Sequence, residues 1–235
     1  MPYSFRGVNA TYVNAYAFPG GSIACTRGIL LELDNEAELA ALLGHELGHV
    51  NARHTAQQVS KNMLASMAVG SAAVFAGSGS SALGGLVQTL GGMGAGALLA
   101  KYSRDNERQA DDLGMEYMVK ANYSPKGMVG LMDMLKNQSK YKPNAFEMLF
   151  ATHPMSDERY RTSVLTAETK YPSAKGFPLH RERYMDRTAR LRSQKTAIEA
   201  MQEGERAMAK EDFPTAEKHF NKALKEVPND YAGLV

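Results

Sequence analysis

The stretch of sequence that decides the fold is Asp34-Asn35-Glu36-Ala37-Glu38-Leu39-Ala40-Ala41-Leu42-Leu43-Gly44-His45-Glu46-Leu47-Gly48-His49-Val50. Apolar residues recur at positions 39, 42, 43, 47 and 50, which is the spacing of an amphipathic helix. Residues four apart on a helix are separated by roughly 40° around its axis. The imidazoles of His45 and His49 therefore project from one face, close enough to share an ion.

The pattern His45-Glu46-Leu47-Gly48-His49 is H-E-x-x-H, a known signature of zinc proteases. Glu46 lies one step around the helix from His45 and can reach the open side of a bound ion. Two histidines do not complete such a site, because a catalytic zinc uses three protein ligands and one water. A third ligand must therefore come from another part of the chain.

A second helical pattern supplies candidates for that ligand. In the run 101–118, apolar side chains again recur at helical spacing. Glu107 and Asp111 are four residues apart and share one face, and the small Ala110 allows another helix to approach closely. Glu107 can act as the third ligand, and Asp111 can accept the second imidazole N–H of a ligating histidine. Considered alone, these carboxylates also fit a solvated helix face, but beside the two histidines they favour a metal site.

Two further histidines are relevant to this site. His153 precedes Pro154, which favours an extended conformation for it. It can donate to a transition-state oxyanion or occupy the fourth zinc position in a resting enzyme, and the alternative is a loop histidine that only caps the next helix. His54 lies nine positions after His45, on roughly the opposite face of a helix that we expect to continue to about Ser60. We therefore predict that His54 supports the site from outside or faces solvent, and does not bind the metal.

Composition sets broad limits on function. The 235 residues suffice for one large domain or a domain and a half. A formal net charge of +2 without a basic stripe argues against nucleic-acid binding. The single cysteine, Cys25, excludes an internal disulfide and a zinc site built from several cysteines. Any metal site must therefore rely mainly on His, Asp and Glu.

Residues 3–33 show the pattern of β structure. The β-prone runs are Tyr3–Val8, Tyr12–Phe18 and Ser22–Leu33, and Pro19-Gly20-Gly21 is a turn signal before the third. The strand around residues 14–17 can be an edge strand that pairs with an extended peptide through main-chain hydrogen bonds. The alternative is a plain hairpin that packs under the helix.

The segment between Lys61 and Lys101 contains no charged residue. It is rich in Gly, Ala and Ser, and it lacks the bulky apolar run of about 20 residues that a membrane-spanning helix needs. We expect two close-packed helices of small residues joined near residues 77–81, which can act as a lid or lean on a membrane surface. A transmembrane hairpin and a simple helical hairpin within the core are the alternatives.

The C-terminal part has the pattern of one tetratricopeptide repeat (TPR), with helix A ending near Lys210 and helix B covering residues 215–227. The residues that fit the repeat are Gly204, Phe213, Ala216, Phe220, Ala223 and Pro228. One repeat cannot bury its own face, so we expect further repeats beyond this sequence. A plain helical hairpin is the alternative. We also expect a leader and an N-terminal segment ahead of residue 1, because the chain enters strand-like sequence almost at once.

Taken together, these motifs resemble those of peptidase family M48, a family of zinc metallopeptidases. The resemblance extends over about residues 5–165 and the final hairpin, and the branch that the chain is most similar to is the bacterial envelope branch with C-terminal TPRs. The stretches that carry it are His45-Glu46-Leu47-Gly48-His49, Val50-Asn51-Ala52-Arg53-His54, Ser103-Arg104-Asp105-Asn106-Glu107-Arg108-Gln109-Ala110-Asp111, Val13-Asn14-Ala15-Tyr16-Ala17-Phe18-Pro19-Gly20-Gly21 and Thr152-His153-Pro154.

The resemblance implies a fold of the α+β class. A mostly helical gluzincin metallopeptidase domain with a small β-sheet is expected over residues 1–190, with its N-terminal part missing, and a truncated TPR-like helical hairpin over residues 195–235. One Zn²⁺ per chain is implied, with Glu46 as the general base and His153 as a histidine that regulates access to the metal. The implied ligands are His45, His49 and Glu107.

The same resemblance implies a zinc-dependent endopeptidase of the bacterial periplasm. Its expected substrates are misfolded or unassembled envelope proteins, in particular unfolded or misassembled outer-membrane proteins, and its TPR region is expected to contact the assembly machinery. The alternative is a chaperone or assembly factor that binds such partners through the TPR region, with weak or latent proteolysis. Membrane-spanning members of the wider family have transmembrane helices at the position of residues 62–100. This chain departs from them there, which favours a soluble enzyme or one with peripheral membrane contact.

Overall fold

The computed structural model describes residues 2–61, 64, 101–141 and 145–234. In these ranges the chain is mostly helical with one small three-stranded sheet, which is an α+β architecture. The strands are β1 (Ser4–Val8), β2 (Ala15–Phe18) and β3 (Ser22–Thr26). The labelled α-helices are α1 (Arg27–Glu32), α2 (Glu36–Asn51), α3 (Arg104–Lys120), α4 (Lys126–Tyr141), α5 (Glu147–Thr152), α6 (Asp157–Thr169), α7 (Arg181–Arg192), α8 (Lys195–Ala209), α9 (Phe213–Glu226) and α10 (Tyr231–Leu234).

The sheet has the order β1-β3-β2, with β1 parallel and β2 antiparallel to β3. The β2–β3 hairpin turns where the sequence predicted, and Gly20 and Gly21 supply the positive φ angles of 100° and 93° that the turn requires. Within the described residues β2 pairs only with β3, so it is an edge strand. It also packs against α2. An edge strand and a hairpin packed under the helix, the two interpretations of residues 14–17, are therefore compatible.

The third β-prone run, Ser22–Leu33, is not one strand, which corrects the sequence prediction. It forms β3 only as far as Thr26, whose hydroxyl oxygen then accepts from the backbone N–H of Ile29 and caps α1. In a short apolar run, hydrophobic periodicity does not distinguish a buried strand from a buried helix. The N-capping threonine was the signal for the change.

Helix α2, which carries the H-E-x-x-H motif and is called the motif helix below, is also shorter than predicted. It begins after Asn35, whose side-chain oxygen accepts from the N–H of Glu38 at 3.0 Å, and it ends at Asn51 instead of near Ser60. Arg53 has a φ of 56°, a left-handed conformation that interrupts the helix before residues 54–61 become helical again. The break changes the direction of the chain immediately before His54.

Helices α2 and α3 pack closely because their contact is made by small residues. A Cβ added to Gly44 would lie 2.8 Å from the carbonyl oxygen of Gly114, and one added to Gly48 would lie 2.9 Å from the Cα of Ala110. Neither position has room for a side chain. The close approach of the two backbones is what allows side chains on both helices to converge on one point.

The hydrophobic core is built by the sheet and helices α1 to α4, with further buried side chains from α5, α6 and α7. Its fully buried large side chains belong to several elements, so no single helix carries the core. They include Ile23, Ile29, Leu33, Met115, Met118, Met128, Leu131, Met132 and Phe146. The motif helix is fixed on this core through Ala37, Ala41 and Leu42.

Helices α8 and α9 form the C-terminal hairpin, close to the predicted helix boundaries, and pack through Ala197, Met201 and Ala223. The buried side chain of Arg27 forms an ion pair with Asp230, so the hairpin contacts the rest of the molecule. The assignment to the TPR family and the division near residues 190–195 stay predictions.

The predictions for the charge-free segment, with a lid or a membrane-leaning surface over residues 62–100, lie outside the described residues. In the part of the chain that the structure describes, no helix combines the length and the apolar character needed to cross a bilayer.

Replacing Gly48 with alanine should lower the free energy of unfolding by about 1–3 kcal/mol, because the new methyl group forces α2 and α3 apart. Chemical denaturation followed by circular dichroism measures the change. Gly7→Ala is the control, since its methyl group would meet nothing within 4 Å. Stabilisation by Gly48→Ala, as the same exchange gives in an open helix, would contradict the tight contact.

Candidate metal centre

Four buried side chains from three parts of the chain converge at the contact between α2 and α3. They are His45, His49, Glu107 and His153. Each side chain offers one potential ligand atom, and these four atoms all lie within 4.8 Å of one another. The Nε2 atoms of His45 and His49 are 3.0 Å apart. Oε1 of Glu107 lies 3.3 Å from Nε2 of His49 and 3.1 Å from Nδ1 of His153. This group can hold a metal ion.

Each element brings its side chain to the cluster for a local reason. The four-residue spacing on α2 places both motif histidines on one face, and α3 presents Glu107 one turn after its N-terminal cap. Ser103 forms that cap in a capping box with Asn106. His153 follows the last turn of α5, where its N–H donates to the carbonyl oxygen of Leu149. The structure therefore brings together the predicted residues His45, His49, Glu107 and His153.

Asp111, one turn after Glu107 on α3, contacts the ring of His45. Its Oδ1 lies 2.8 Å from Nδ1 of His45. Burial opposes ionisation of Asp111, but the adjacent Arg159 and His45 outweigh this and lower its pKa. A carboxylate can only accept, so Nδ1 of His45 carries the hydrogen and Nε2 directs a lone pair into the cluster.

Arg159 is a central residue that the sequence prediction missed. It lies on α6, and its guanidinium donates to both carboxylate oxygens of Asp111 at 2.7 Å. A third nitrogen, Nη1, lies 2.7 Å from Oε2 of Glu107 and donates to the carbonyl oxygen of Pro154 at 3.2 Å. One arginine thus connects two carboxylates of the site with the loop that carries His153. An arginine three residues after an N-capping serine was the only signal, and such arginines are common on exposed helix surfaces.

His54 and Tyr102 lie against the other side of His49. Nδ1 of His54 is 2.9 Å from Nδ1 of His49, and the ring of Tyr102 stacks on His49 with centroids 3.9 Å apart. His54 is buried and is not among the four potential ligands, as predicted, but it does not lie on the face opposite His45. The helix break at Arg53 turns it back toward the cluster, and the periodicity of a continuous helix could not reveal that turn.

Glu46 is buried beside the cluster without being part of it. Its exposed fraction is 1%, and Oε1 lies 3.8 Å from Nε2 of His153. Among the described residues Oε2 of Glu46 has no hydrogen-bond partner. A buried carboxylate oxygen without a partner is costly, and here it is available to a molecule that enters the cluster.

The electrostatics of the cluster favour a bound cation. Burial lowers the pKa of His49 to about 3, so this imidazole is neutral at pH 7 and can act as a ligand. Burial alone would also lower the pKa of His153, but the carboxylates of Glu107 and Glu46 raise it instead. Burial opposes ionisation of Glu107 as well, yet the surrounding histidines hold its pKa well below the usual range. The carboxylates thus attract positive charge into this buried cluster. Two imidazoles and one carboxylate already point into it, and these are ligand types of a catalytic zinc.

Two cavities flank the cluster. One of about 410 Å³ lies on the side of His49 and is bounded by Tyr3, Phe18, Val50 and Arg53. The other, of about 460 Å³, lies on the side of Glu107 and reaches Arg159. The cluster therefore sits between two spaces that are large enough for amino-acid side chains.

Comparison with known proteins gives a family match over most of the chain. Residues 1–164 match the model described as peptidase family M48. Beta-barrel assembly-enhancing protease from Yersinia pestis is 33% identical over 163 residues, which is 67% of this chain and 33% of that protein. Metalloprotease YcaL from Escherichia coli K12 is 33% identical over 163 residues, or 67% of this chain and 59% of that protein.

One relative aligns over a longer part of the chain. The putative beta-barrel assembly-enhancing protease of Vibrio cholerae is 29% identical over 204 residues, which is 85% of this chain and 41% of that protein. This chain spans about a third of the length of the relative from Yersinia pestis. The similarity to these two beta-barrel assembly-enhancing proteases therefore covers less than half of the length of each.

Replacing Arg159 with methionine should lower the free energy of unfolding by about 3–5 kcal/mol, because two buried carboxylates would lose their shared positive partner. Urea denaturation of the metal-free chain measures this. Arg161→Met, an exposed arginine on the same helix, is the matched control and should change the value by less than about 0.5 kcal/mol. Similar small effects of both substitutions would show that the bridge between Asp111 and Glu107 contributes little.

Proposed function

Because the chain belongs to peptidase family M48, we propose that it is a zinc-dependent endopeptidase that hydrolyses peptide bonds of misfolded or unassembled envelope proteins. The observation that carries this proposal is the convergence of His45, His49, Glu107 and His153 beside Glu46, whose Oε2 has no hydrogen-bond partner among the described residues. A purely structural metal site has no use for such a carboxylate.

In the proposed site, one Zn²⁺ per chain is held by His45, His49 and Glu107. Two imidazoles and a glutamate are a ligand set of catalytic zinc sites, which leave one position for water or substrate. Zinc held there would supply Lewis-acid chemistry, since it lowers the pKa of a water to about 7 and polarises a carbonyl. Asp111 keeps the hydrogen of His45 on Nδ1, and Arg159 fixes Asp111 and Glu107 relative to each other.

Glu46 acts as the general base in this mechanism. Its carboxylate accepts a proton from the attacking water and later passes that proton to the leaving amine. Burial at 1% exposure keeps the carboxylate away from bulk solvent, and Oε2 has no hydrogen-bond partner among the described residues, so this oxygen can take the proton. Oε2 of Glu107 is also buried without a hydrogen-bond partner there, but it lies 2.7 Å from Nη1 of Arg159 in an ion pair, which makes Glu46 the better placed base.

In the proposed site, His153 would control the access of a substrate to the metal. Its Nδ1 lies 3.3 Å from Nε2 of His45 and 3.1 Å from Oε1 of Glu107, within the ligand set. A substrate carbonyl and this ring cannot occupy the same place. In this proposal, the loop that carries His153 and Pro154 would move before hydrolysis.

The substrate is an extended segment of an unfolded protein. Among the described residues β2 pairs on one side only, and its other side offers backbone groups for strand pairing. Near the end of β2, Phe18 lines the cavity beside His49, together with Tyr3 and Val50. An extended chain that pairs with β2 can place one apolar side chain in this cavity. Unfolded proteins supply both the extended backbone and exposed apolar residues.

The location and partners are proposed from the relatives alone. The protein from Yersinia pestis is named for enhancing β-barrel assembly, which supports the bacterial envelope, specifically the periplasm, and outer-membrane proteins as substrates. The hairpin of α8 and α9 is proposed as the start of a TPR region that binds the assembly machinery. The alternative function is a chaperone or assembly factor that uses this region for binding and has weak or latent proteolysis.

Replacing Glu46 with glutamine should abolish cleavage of casein while zinc binding remains at one ion per chain, because the base is lost and all three ligands stay. A fluorescent casein assay and metal analysis of the same sample measure both quantities. Cleavage by the unsubstituted chain should stop with a chelator and return with zinc. A fully active Glu46→Gln chain would refute the mechanism, and no chelator-sensitive cleavage by the unsubstituted chain would favour the chaperone alternative.

Replacing His153 with alanine should increase casein cleavage without loss of zinc, because the ring that occupies the fourth position is removed. Initial rates and zinc content are compared with those of the unsubstituted chain. If His153 instead donated to the oxyanion, the rate would fall by about 10²–10³-fold. If the zinc content fell to zero, His153 would be a structural ligand and the assignment as a gate would be wrong.

A further inference from the structure

We propose that His54 and Gln109 together fix the tautomer of His49, so that Nε2 of His49 presents a lone pair to the metal position. The inference rests on the proposed metal site and adds two positioning residues to it. It assigns to His54 and Gln109 a role that neither the H-E-x-x-H motif nor its third ligand requires.

Contacts inside the cluster leave the tautomer of His49 open. Nε2 of His49 lies 3.0 Å from Nε2 of His45 and 3.3 Å from Oε1 of Glu107, and both of these atoms can accept a hydrogen bond. An N–H at this position would satisfy them, and it would also prevent His49 from binding a metal. The hydrogen can be kept on Nδ1 only by a partner on the far side of the ring.

On the far side of His49, hydrogen bonds lead through His54 to Gln109, and their donors and acceptors can be assigned in one way. Nε2 of His54 lies 3.0 Å from Oε1 of Gln109. A carbonyl oxygen can only accept, so Nε2 of His54 carries the hydrogen and Nδ1 of the neutral ring carries a lone pair. Nδ1 of His54 lies 2.9 Å from Nδ1 of His49, which must then be the donor. Nε2 of His49 is left without a hydrogen and faces the cluster.

Two features hold His54 in the place where it can do this. The left-handed conformation of Arg53, with a φ of 56°, turns the chain back after α2, and His54 is buried with an exposed fraction of 2%. Tyr102 stacks on His49 and donates to or accepts from Thr55, which comes directly after His54. The ring of His49 is therefore confined between Tyr102 and His54.

The two motif histidines are thus oriented by partners of different charge. His45 has the carboxylate of Asp111, whereas His49 has a neutral imidazole that ends on a neutral amide. A carboxylate partner makes an imidazole a stronger donor to a metal than a neutral partner does. The neutral side chains of His54 and Gln109 also add no further negative charge to a cluster that already contains Glu46, Glu107 and Asp111.

The tautomers can be measured directly in the metal-free chain. Long-range ¹H–¹⁵N correlation spectra of the protein labelled at its six histidines show which ring nitrogen carries hydrogen. The expected result is hydrogen on Nε2 of His54 and on Nδ1 of His49. Gln109→Leu removes the acceptor of the His54 Nε2 hydrogen and should allow the other tautomer of both rings. Hydrogen on Nε2 of His49 in the unsubstituted chain would overturn the proposal.

Zinc affinity, measured by competition with a chelating dye, tests the consequence. His54→Phe removes the acceptor and should weaken zinc binding by about 10–100-fold. His54→Asn places an amide oxygen where Nδ1 stands and should retain most of the affinity. Thermal unfolding of the metal-free variants reports any change in packing. Equal losses in both variants, or no loss in His54→Phe, would overturn the proposal.

Failure of the proposed function and failure of the role of His54 give different results. If the unsubstituted chain bound no zinc, the proposed function would be wrong, while the tautomers measured in the metal-free chain would still decide the role of His54. If zinc bound and casein were cleaved, but His49 carried its hydrogen on Nε2 in the metal-free chain, only the role of His54 and Gln109 would be lost.

Discussion

The close contact between α2 and α3 is the constraint on which the rest of the structure depends. Gly44 faces Gly114 and Gly48 faces Ala110, so the two backbones meet without intervening side chains. This brings the histidines of α2 within about hydrogen-bonding distance of Glu107 and Asp111 on α3. Side chains at the small-residue positions would move the helices apart, and the ligand atoms would no longer share one point. The core beneath the helices keeps this contact in place.

This convergence places three carboxylates in a buried site, and one buried arginine balances part of their negative charge. Glu46, Glu107 and Asp111 are all buried, and Arg159 is the buried arginine that pairs with two of them. Buried charges are tolerated when they are paired and hydrogen-bonded. Arg159 pairs with Glu107 and Asp111, whereas Oε2 of Glu46 has no hydrogen-bond partner in the part of the chain that the structure describes. The distribution separates the groups that build the site from the one group proposed to move a proton.

The surroundings of the site connect this chemistry to the larger molecule. In the proposed enzyme, an extended chain would pair with β2 and place a side chain in the cavity beside His49, and His153 on the loop after α5 lies 3.3 Å from His45. The C-terminal hairpin is tied to the same body through Arg27 and Asp230. In the proposed enzyme, access to the site is therefore a matter of loop position, while the ligand geometry stays fixed by the two packed helices.

Sequence alone determined the residues that repeat with a helical period: the pair His45 and His49, the pair Glu107 and Asp111, and the small Ala110 between the latter. It also placed the edge-strand turn and the C-terminal helices, because glycines and amphipathic periods are local signals. The break at Arg53 and the partners Arg159 and His54 were decided only by the tertiary structure. Their roles depend on which distant groups they meet, and a period along the chain carries no information about contacts between elements.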